Sequence, residues 1–253
     1  MKEKQWSLID YSIYAMDKEE KVKCSVQGLL ILSIVLWIFY QSIIMIAIGS
    51  PLVCIYVRQC CEKRCRERKW ELTLQFREGV QALVAALSIG YSVENAFIQA
   101  IKDLKLLYKE EAMIIKEFEY IVYQIQMNVP VEHAVGEFAK RSTIDDIKSL
   151  SEVFAIAKRT GGDLIKILRS TSRMIGDKVE VTREVVTMMS AKKFEANIMG
   201  IIPIGMIIYM KISSPNFLNP LYHNIAGGLV MTVSLILYSI SFWLMNHILA
   251  IEI

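Results

Sequence analysis

Proline and histidine are scarce in this chain of 253 residues, which holds five of the first and three of the second. Only Pro130 falls between residues 58 and 195. That shortage, with no run of strict alternation, points to helices there rather than strands. His133, His223 and His247 lie far apart in sequence and compose no metal site; His133 reads as a helix-surface residue. The five cysteines, Cys24, Cys54, Cys60, Cys61 and Cys65, crowd into the first quarter of the chain. A secreted disulfide framework would spread them. Cys60-Cys61 with Cys65 is the most metal-like spacing, but it lacks the fourth soft ligand that zinc takes. Charge imbalance is small as well. A formal charge of +3, from 29 Lys+Arg against 26 Asp+Glu, gives no footing for nucleic acid. GxxxxGK[ST], HExxH and GxSxG are all missing, so no phosphate loop, zincin site or nucleophile elbow is spelled out.

Apolar residues, by contrast, are abundant, at 54% with a mean hydropathy of +0.37, while 22% are charged. Soluble domains sit nearer 45–50% apolar. The composition excludes disorder, a collagen-like fibre and a small disulfide scaffold. It fits a membrane protein with a sizeable aqueous part.

Charge is absent over residues 24–57, a run of 34. One span needs about 20 apolar residues and two need about 40. The run is either one overlong span or two short ones turning near Gln41-Ser42. Five Lys precede it, and seven Lys/Arg occupy residues 58–77. Positive flanks on both sides favour two crossings with both ends in the cytoplasm. A third run covers Ala196–Met210 and a fourth Ile225–Ile251. Ser213 to Pro220 between them is uncharged turn chemistry and belongs outside. Apart from His247 near the membrane edge, these runs carry no acid or base, which argues against a proton-coupled pump.

The expected organisation is therefore all-α and polytopic, with about four transmembrane helices and an inserted cytoplasmic bundle of about six. A cytoplasmic segment covers 1–23 and a membrane hairpin 24–57. The bundle covers 58–195, a third span 196–212, an external loop 213–224 and a fourth span 225–253. The first 23 residues show no cleavable signal peptide. The basic run Arg58–Lys69 reads as topology control plus attraction to anionic membrane lipid.

Within 58–195 the spacing predicts successive helices. Leu72, Phe76, Val80, Leu83, Val84 and Leu87 share one face, ended by Ile89-Gly90, where glycine takes the left-handed position. Ser92 caps the next helix, which turns Val93, Ala96, Phe97, Ala100, Ile101, Leu104 and Leu107 inward. A third, from about Glu110 to Met127, buries Ile114, Phe118, Ile121, Val122 and Ile125. Asn128-Val129-Pro130 breaks it, and Pro130 opens a helix burying Val131, Ala134, Val135 and Phe138. Thr143 with Asp146 reads as a capping box before a helix that buries Ile147, Leu150, Val153, Phe154 and Ala157. That helix stops at Gly161-Gly162. Asp163 caps the last helix, which turns Leu164, Ile167, Leu168, Thr171 and Ile175 inward. The carboxylates Glu110, Glu111, Glu117, Glu119, Asp145, Asp146 and Asp177 read as solvated polar faces.

A weak echo links Gly90–Phe97 to Asn128–Val135, 38 residues on, with Val, Glu and Ala matching. Gly162–Leu168 is a looser third copy. The plain account of the echo is that every helix–turn–helix needs a left-handed residue, a cap and an apolar face.

These stretches carry a resemblance: Leu83 to Ala96, Val129 to Ala134 with Phe138 to Arg141, and Gly161 to Leu164 with Leu168. Together with the order of spans they resemble the F domain of type II secretion systems, and within it the tight-adherence (Tad, type IVc) pilus platform proteins. The resemblance covers about Arg77–Ile175 by motif; Asn128 departs from it by standing in place of Gly. It implies a multi-pass protein of the bacterial inner membrane without enzymatic activity or cofactor. It implies as partners a hexameric assembly ATPase, pilin-like subunits and a sister platform protein or second copy. Its turn and interaction residues are Gly90, Glu94, Asn128, Pro130, Glu132, Arg141, Gly161, Gly162 and Asp163. Gly161-Gly162 also suits a hinge, although a helix end alone would demand glycine. The alternative is a membrane-anchored receptor or regulator with a helical signalling bundle, which the short outside loops disfavour.

Overall fold

The computed structural model describes residues 10–11, 18–40, 49, 51–160, 164–214, 221 and 224–249. Among them the structure is all-α, with no strand. We number the helices α1 (Lys18–Tyr40), α2 (Leu52–Ser88), α3 (Val93–Leu107), α4 (Met113–Gln126), α5 (Val131–Ser142), α6 (Asp145–Thr160), α7 (Leu164–Ser213) and α8 (Ile225–Leu249). The chain divides into two compact units. One combines the segment around Tyr11 with Cys61–Val181, and the other takes Met16–Cys60 with Thr182–Ile253.

The first unit has one apolar core fed by α2 to α7. Leu72, Phe76, Val80 and Leu83 of α2 are fully buried, as the four-and-three spacing requires. Phe97 of α3 meets Phe118 of α4 edge to face at 5.1 Å and stacks on Phe154 of α6 at 6.3 Å. Phe76 meets Phe138 of α5 edge to face at 6.2 Å. Such pairs add about 0.5–1.5 kcal/mol beyond the area they bury. Helix α2 comes close to α4 at Gly79, where an added Cβ would stand 2.9 Å from Phe118 Cζ and 3.2 Å from Ile114 Cγ1.

The turns explain the echo. Gly90 has φ +100° and Asn128 φ +66°. In the first turn Tyr91 N–H donates to Ala86 O and Gly90 N–H to Leu87 O. In the second Val129 N–H donates to Gln124 O and Asn128 N–H to Ile125 O. Both are Schellman motifs, with the left-handed residue just past the helix end. Ser92 Oγ then accepts from Asn95 N–H and caps α3, as expected. The proposed third copy, Gly161, Gly162 and Asp163, lies outside the described residues.

Several local expectations are corrected. Thr143 does not cap α6; it ends α5 in the left-handed conformation, φ 55°. A two-residue connection leaves Thr143 to reverse the chain, so its hydroxyl donates to Ser142 O and accepts from Lys69 Nζ. Asp146 instead receives Lys178 Nζ at 3.0 Å. Helix α4 begins at Met113 rather than near Glu110, after a turn closed by Ala112 N–H on Lys109 O. Buried Gln75 of α2 accepts from Ile114 N–H at 3.1 Å, a cap supplied from another helix. Leu107, expected inward, is exposed because α3 ends there.

In the second unit α1 is met by the segment 49–60 running the other way. Cys24 lies against Cys60, Gly28 against Tyr56 and Leu36 against Gly49. The two numbers of each pair sum to 84 or 85, the signature of an antiparallel hairpin. The turn expected near Gln41-Ser42 lies outside the described residues. Ile38 and Phe39 of α1 pack with Met231 of α8. Tyr40 OH donates to Thr232 Oγ1 at 2.9 Å, and Tyr238 OH to Gly200 O at 2.7 Å. Among the described residues three helices are long and apolar enough to cross a membrane: Lys18–Tyr40, Ile165–Ser213 and Ala226–Met245. Their apolar side chains, among them Ile31, Ile201, Leu237 and Trp243, are exposed to the surroundings. A soluble monomer does not carry apolar surface on that scale; hydrocarbon accommodates it.

Candidate functional site

Charged side chains near the core collect at one place. Arg141, in the last turn of α5, donates from Nη1 to Glu117 Oε1 at 2.8 Å and from Nη2 to Glu117 Oε2 at 2.5 Å. The Glu117 side chain is only 5% exposed and that of Arg141 18%. Tyr11 OH adds a third hydrogen bond to Glu117 Oε1 at 3.0 Å. The guanidinium of Arg68 lies 4.7 Å from the centre of the Tyr11 ring, and that of Arg141 5.7 Å from the Tyr120 ring. Beside them, Gln124 Nε2 donates to Glu137 Oε2 at 2.6 Å.

Periodicity explains how the pair arises. Glu117 follows Ile114 by three residues and precedes Ile121 by four, so it sits on the apolar face of α4. Arg141 follows Phe138 by three and takes the matching face of α5. A buried carboxylate has to be paired, and a planar guanidinium pairs it with two parallel bonds. Burial and the neighbouring Glu117 charge hold the Tyr11 phenol well above the usual tyrosine range, so it stays a donor. Burial works against the Arg141 charge; the bonds to Glu117 outweigh it and raise its proton affinity.

This cluster has no nucleophile–base pair, and it holds its own charges in balance. A second feature, an open cleft of about 400 Å³, is lined by Arg64, Glu67, Arg68, Glu71, Gln75, Glu111, Ala112 and Met113. Two arginines against three glutamates give it no strong selectivity for either sign of ligand. Among the described residues no three His, Cys, Asp or Glu side chains come together as a metal would need.

The residues singled out by sequence separate into two groups. Gly90 and Asn128 share one end of the bundle, since α3 and α4 run antiparallel with the start of one beside the end of the other. Glu94 and Glu132 stand half-buried in the first turns that follow, and Pro130 is exposed. Ser151 Oγ of α6 donates to Glu132 O at 3.4 Å. Arg141 stands apart from them, eleven residues along α5 from Pro130, or about 16 Å of helix. Sequence reasoning places Glu117 on a solvated face, and the structure corrects this. Its place in the three-and-four pattern is the signal. Tyr11 escapes sequence reasoning outright; nothing in the local sequence marks it.

The family model for the type II secretion system protein F matches residues 78–211. Neither the curated proteins nor the solved structures give a match. The matched stretch takes in Gly90 to Asp163 as well as Glu117 and Arg141, and it runs through α7 almost to its end. It covers more than half of the 253 residues, and the chain therefore belongs to the type II secretion system protein F family.

Proposed function

We propose that this chain is an inner-membrane platform protein of a type IV pilus or type II secretion-like machine, of the tight-adherence kind. In this reading it couples a cytoplasmic hexameric ATPase to the insertion or extraction of pilin-like subunits. It performs no covalent chemistry of its own and uses no cofactor. The observation that carries the reading is the family match over residues 78–211.

Physical features support it. The bundle is tightly packed around aromatic contacts, which suits a part that transmits displacement. Helices α2 and α7 each contribute residues to both units without interruption, so helical backbone leads from one into the other. The antiparallel contacts of α1 with 49–60 favour two arms, and with α7 and α8 they bring the count to four spans. The basic flanks then put both termini and the bundle (58–195) in the cytoplasm, with 213–224 outside. The repeated turns at Gly90 and Asn128, with Glu94, Pro130 and Glu132, form the contact face for the ATPase. A second copy or a sister platform protein supplies the partner bundle.

Cross-linking a tagged copy in its native membrane, followed by mass spectrometry, tests this. The expected result is a hexameric ATPase and pilin-like subunits, with the ATPase cross-linked through 58–195. Recovery of the protein alone, or of signalling proteins, would overturn the platform role and favour a receptor.

A further inference from the structure

Two thiols meet within the second unit. Cys24 Sγ of α1 and Cys60 Sγ of α2 stand 2.7 Å apart, and both residues belong to the unit of Met16–Cys60 with Thr182–Ile253. One helical turn away, Gly28 brings the two backbones together. A Cβ added there would stand 2.7 Å from Tyr56 Cδ1. Cys24 precedes Gly28 by four residues and Cys60 follows Tyr56 by four. Each cysteine therefore shares a helix face with the residue at the close approach. A cystine needs its Cα atoms within about 6.8 Å of each other, and a contact over glycine lets two helices come that near. Both thiols are half-buried, so water and small solutes reach them. They also share the polar end of the two arms, since Cys24 follows Lys23 and Cys60 lies two residues past Arg58.

We propose that Cys24 and Cys60 are a redox switch: a dithiol in a reducing medium that closes to a disulfide when it meets a water-soluble disulfide such as oxidised glutathione. One cysteine thiolate attacks a sulfur of the small disulfide and expels one small thiolate, leaving a mixed disulfide. The second cysteine thiolate then attacks the Sγ of the first and expels the other small thiolate. The chain gives up two electrons and two protons, and the oxidant leaves as two thiols. The sulfurs need to move by less than about 1 Å to reach bonding distance.

The bond would change what holds the two arms. In the dithiol form α1 and the segment 52–60 are held in register by packing alone, as at Gly28 and Tyr56. In the disulfide form they cannot slide or turn against each other at this end. The inference rests on contacts inside one unit and stands whether or not the platform reading does.

Cys61 supplies the control. Neighbouring residues on a helix project about 100° apart, so Cys60 and Cys61 cannot both be aimed at Cys24. Two full-length variants are compared in native membranes. One keeps Cys24 and Cys60, with Cys54, Cys61 and Cys65 changed to Ser. The other keeps Cys24 and Cys61, with Cys54, Cys60 and Cys65 changed to Ser. Each is incubated with oxidised glutathione, quenched with N-ethylmaleimide and measured by intact mass spectrometry. The Cys24/Cys60 protein should become a monomer carrying neither maleimide nor glutathione. It should do so at least about tenfold faster than the Cys24/Cys61 protein, because misplacing the reacting atoms by about 1 Å can cost about a hundredfold. Reduced glutathione should restore both maleimide sites. Adding Gly28→Leu, which forces the helices apart beside the pair, should slow closure at least about tenfold. Maleimide or glutathione left on both cysteines, a disulfide-linked dimer, or a bond that reduced glutathione does not reopen would overturn the switch. So would equal closure by the Cys24/Cys61 protein or by the Gly28→Leu variant, because the geometry of the pair would then be irrelevant.

Discussion

Arg141 grips Glu117 with both terminal nitrogens of its guanidinium, joining α5 to α4 beside the core. A pair this well buried is hard to break from one side and easy to replace from both. Arg141→Met strands a buried carboxylate and should lower the stability of the full-length protein by about 3–5 kcal/mol. The double variant Arg141→Met with Glu117→Leu should recover most of that loss. Thermal unfolding in detergent followed by circular dichroism measures both; a double variant as unstable as the single one would mean that the pair does more than satisfy its own charges.

Tyr11 gives the same region a pH dependence. Its phenol is held above the ordinary tyrosine range by burial and by Glu117. A group whose proton is held more tightly in the fold contributes stability that is whole below its unfolded pKa, near 10. That contribution falls as pH climbs toward the folded value. Between pH 8 and pH 11 the parent should lose about 1.4 kcal/mol that Tyr11→Phe does not lose. Paired denaturation curves at pH 8 and pH 11 would show this as a difference that changes with pH. A constant difference between the two proteins would mean that Tyr11 titrates as it does in the unfolded chain.

The left-handed turns invite a comparison of their two residues. Gly90 has φ +100° with open space around it, and Asn128 has φ +66°. Gly90→Ala should therefore cost about 1–2 kcal/mol from backbone strain alone. Asn128→Gly should be neutral or slightly stabilising, because Asn only tolerates what Gly adopts freely. Thermal midpoints of the two variants decide the matter, and a Gly90→Ala protein as stable as the parent would remove the strain account.

Much of this fold is legible in the sequence wherever the cause is local. The face Leu72–Phe76–Val80–Leu83, the Ser92 cap and the breaks at Gly90 and Asn128 each follow from residues within a turn or two. What escapes has its cause elsewhere in the chain. Glu117 reads as a surface acid until Arg141 is seen across from it, 24 residues on. Gln75 caps a helix that starts 38 residues later. Tyr11 enters a core whose nearest helix in sequence begins at Leu52, and no periodicity reaches back that far. Thr143 misleads because a Thr followed three residues later by Asp suits a cap, while the short connection needs a reversal.

Close packing at Gly79 makes a further prediction. An added methyl group would stand 2.9 Å from the Phe118 ring, a separation that Cβ atoms do not adopt. Phe118 is itself pinned edge-on to Phe97 and cannot swing aside cheaply. Gly79→Ala should therefore destabilise the bundle by about 1–3 kcal/mol despite the better helix propensity of alanine. An increase in thermal midpoint would mean that α2 and α4 can separate slightly at this point without loss.

Topology is open to a direct test with one set of reporter fusions. The pairs Cys24–Cys60, Gly28–Tyr56 and Leu36–Gly49 make α1 and the following segment antiparallel. The charge pattern puts five Lys before the uncharged run and seven Lys/Arg after it, up to Arg77. In the proposed topology the tip of this hairpin faces away from the cytoplasm. Reporter fusions at Gln41 and Asn219 should then be active as periplasmic reporters and silent as cytoplasmic ones. Fusions after Lys69 and Lys193 should behave in the opposite way. An inside location for Gln41 would leave the four-span arrangement without its first pair.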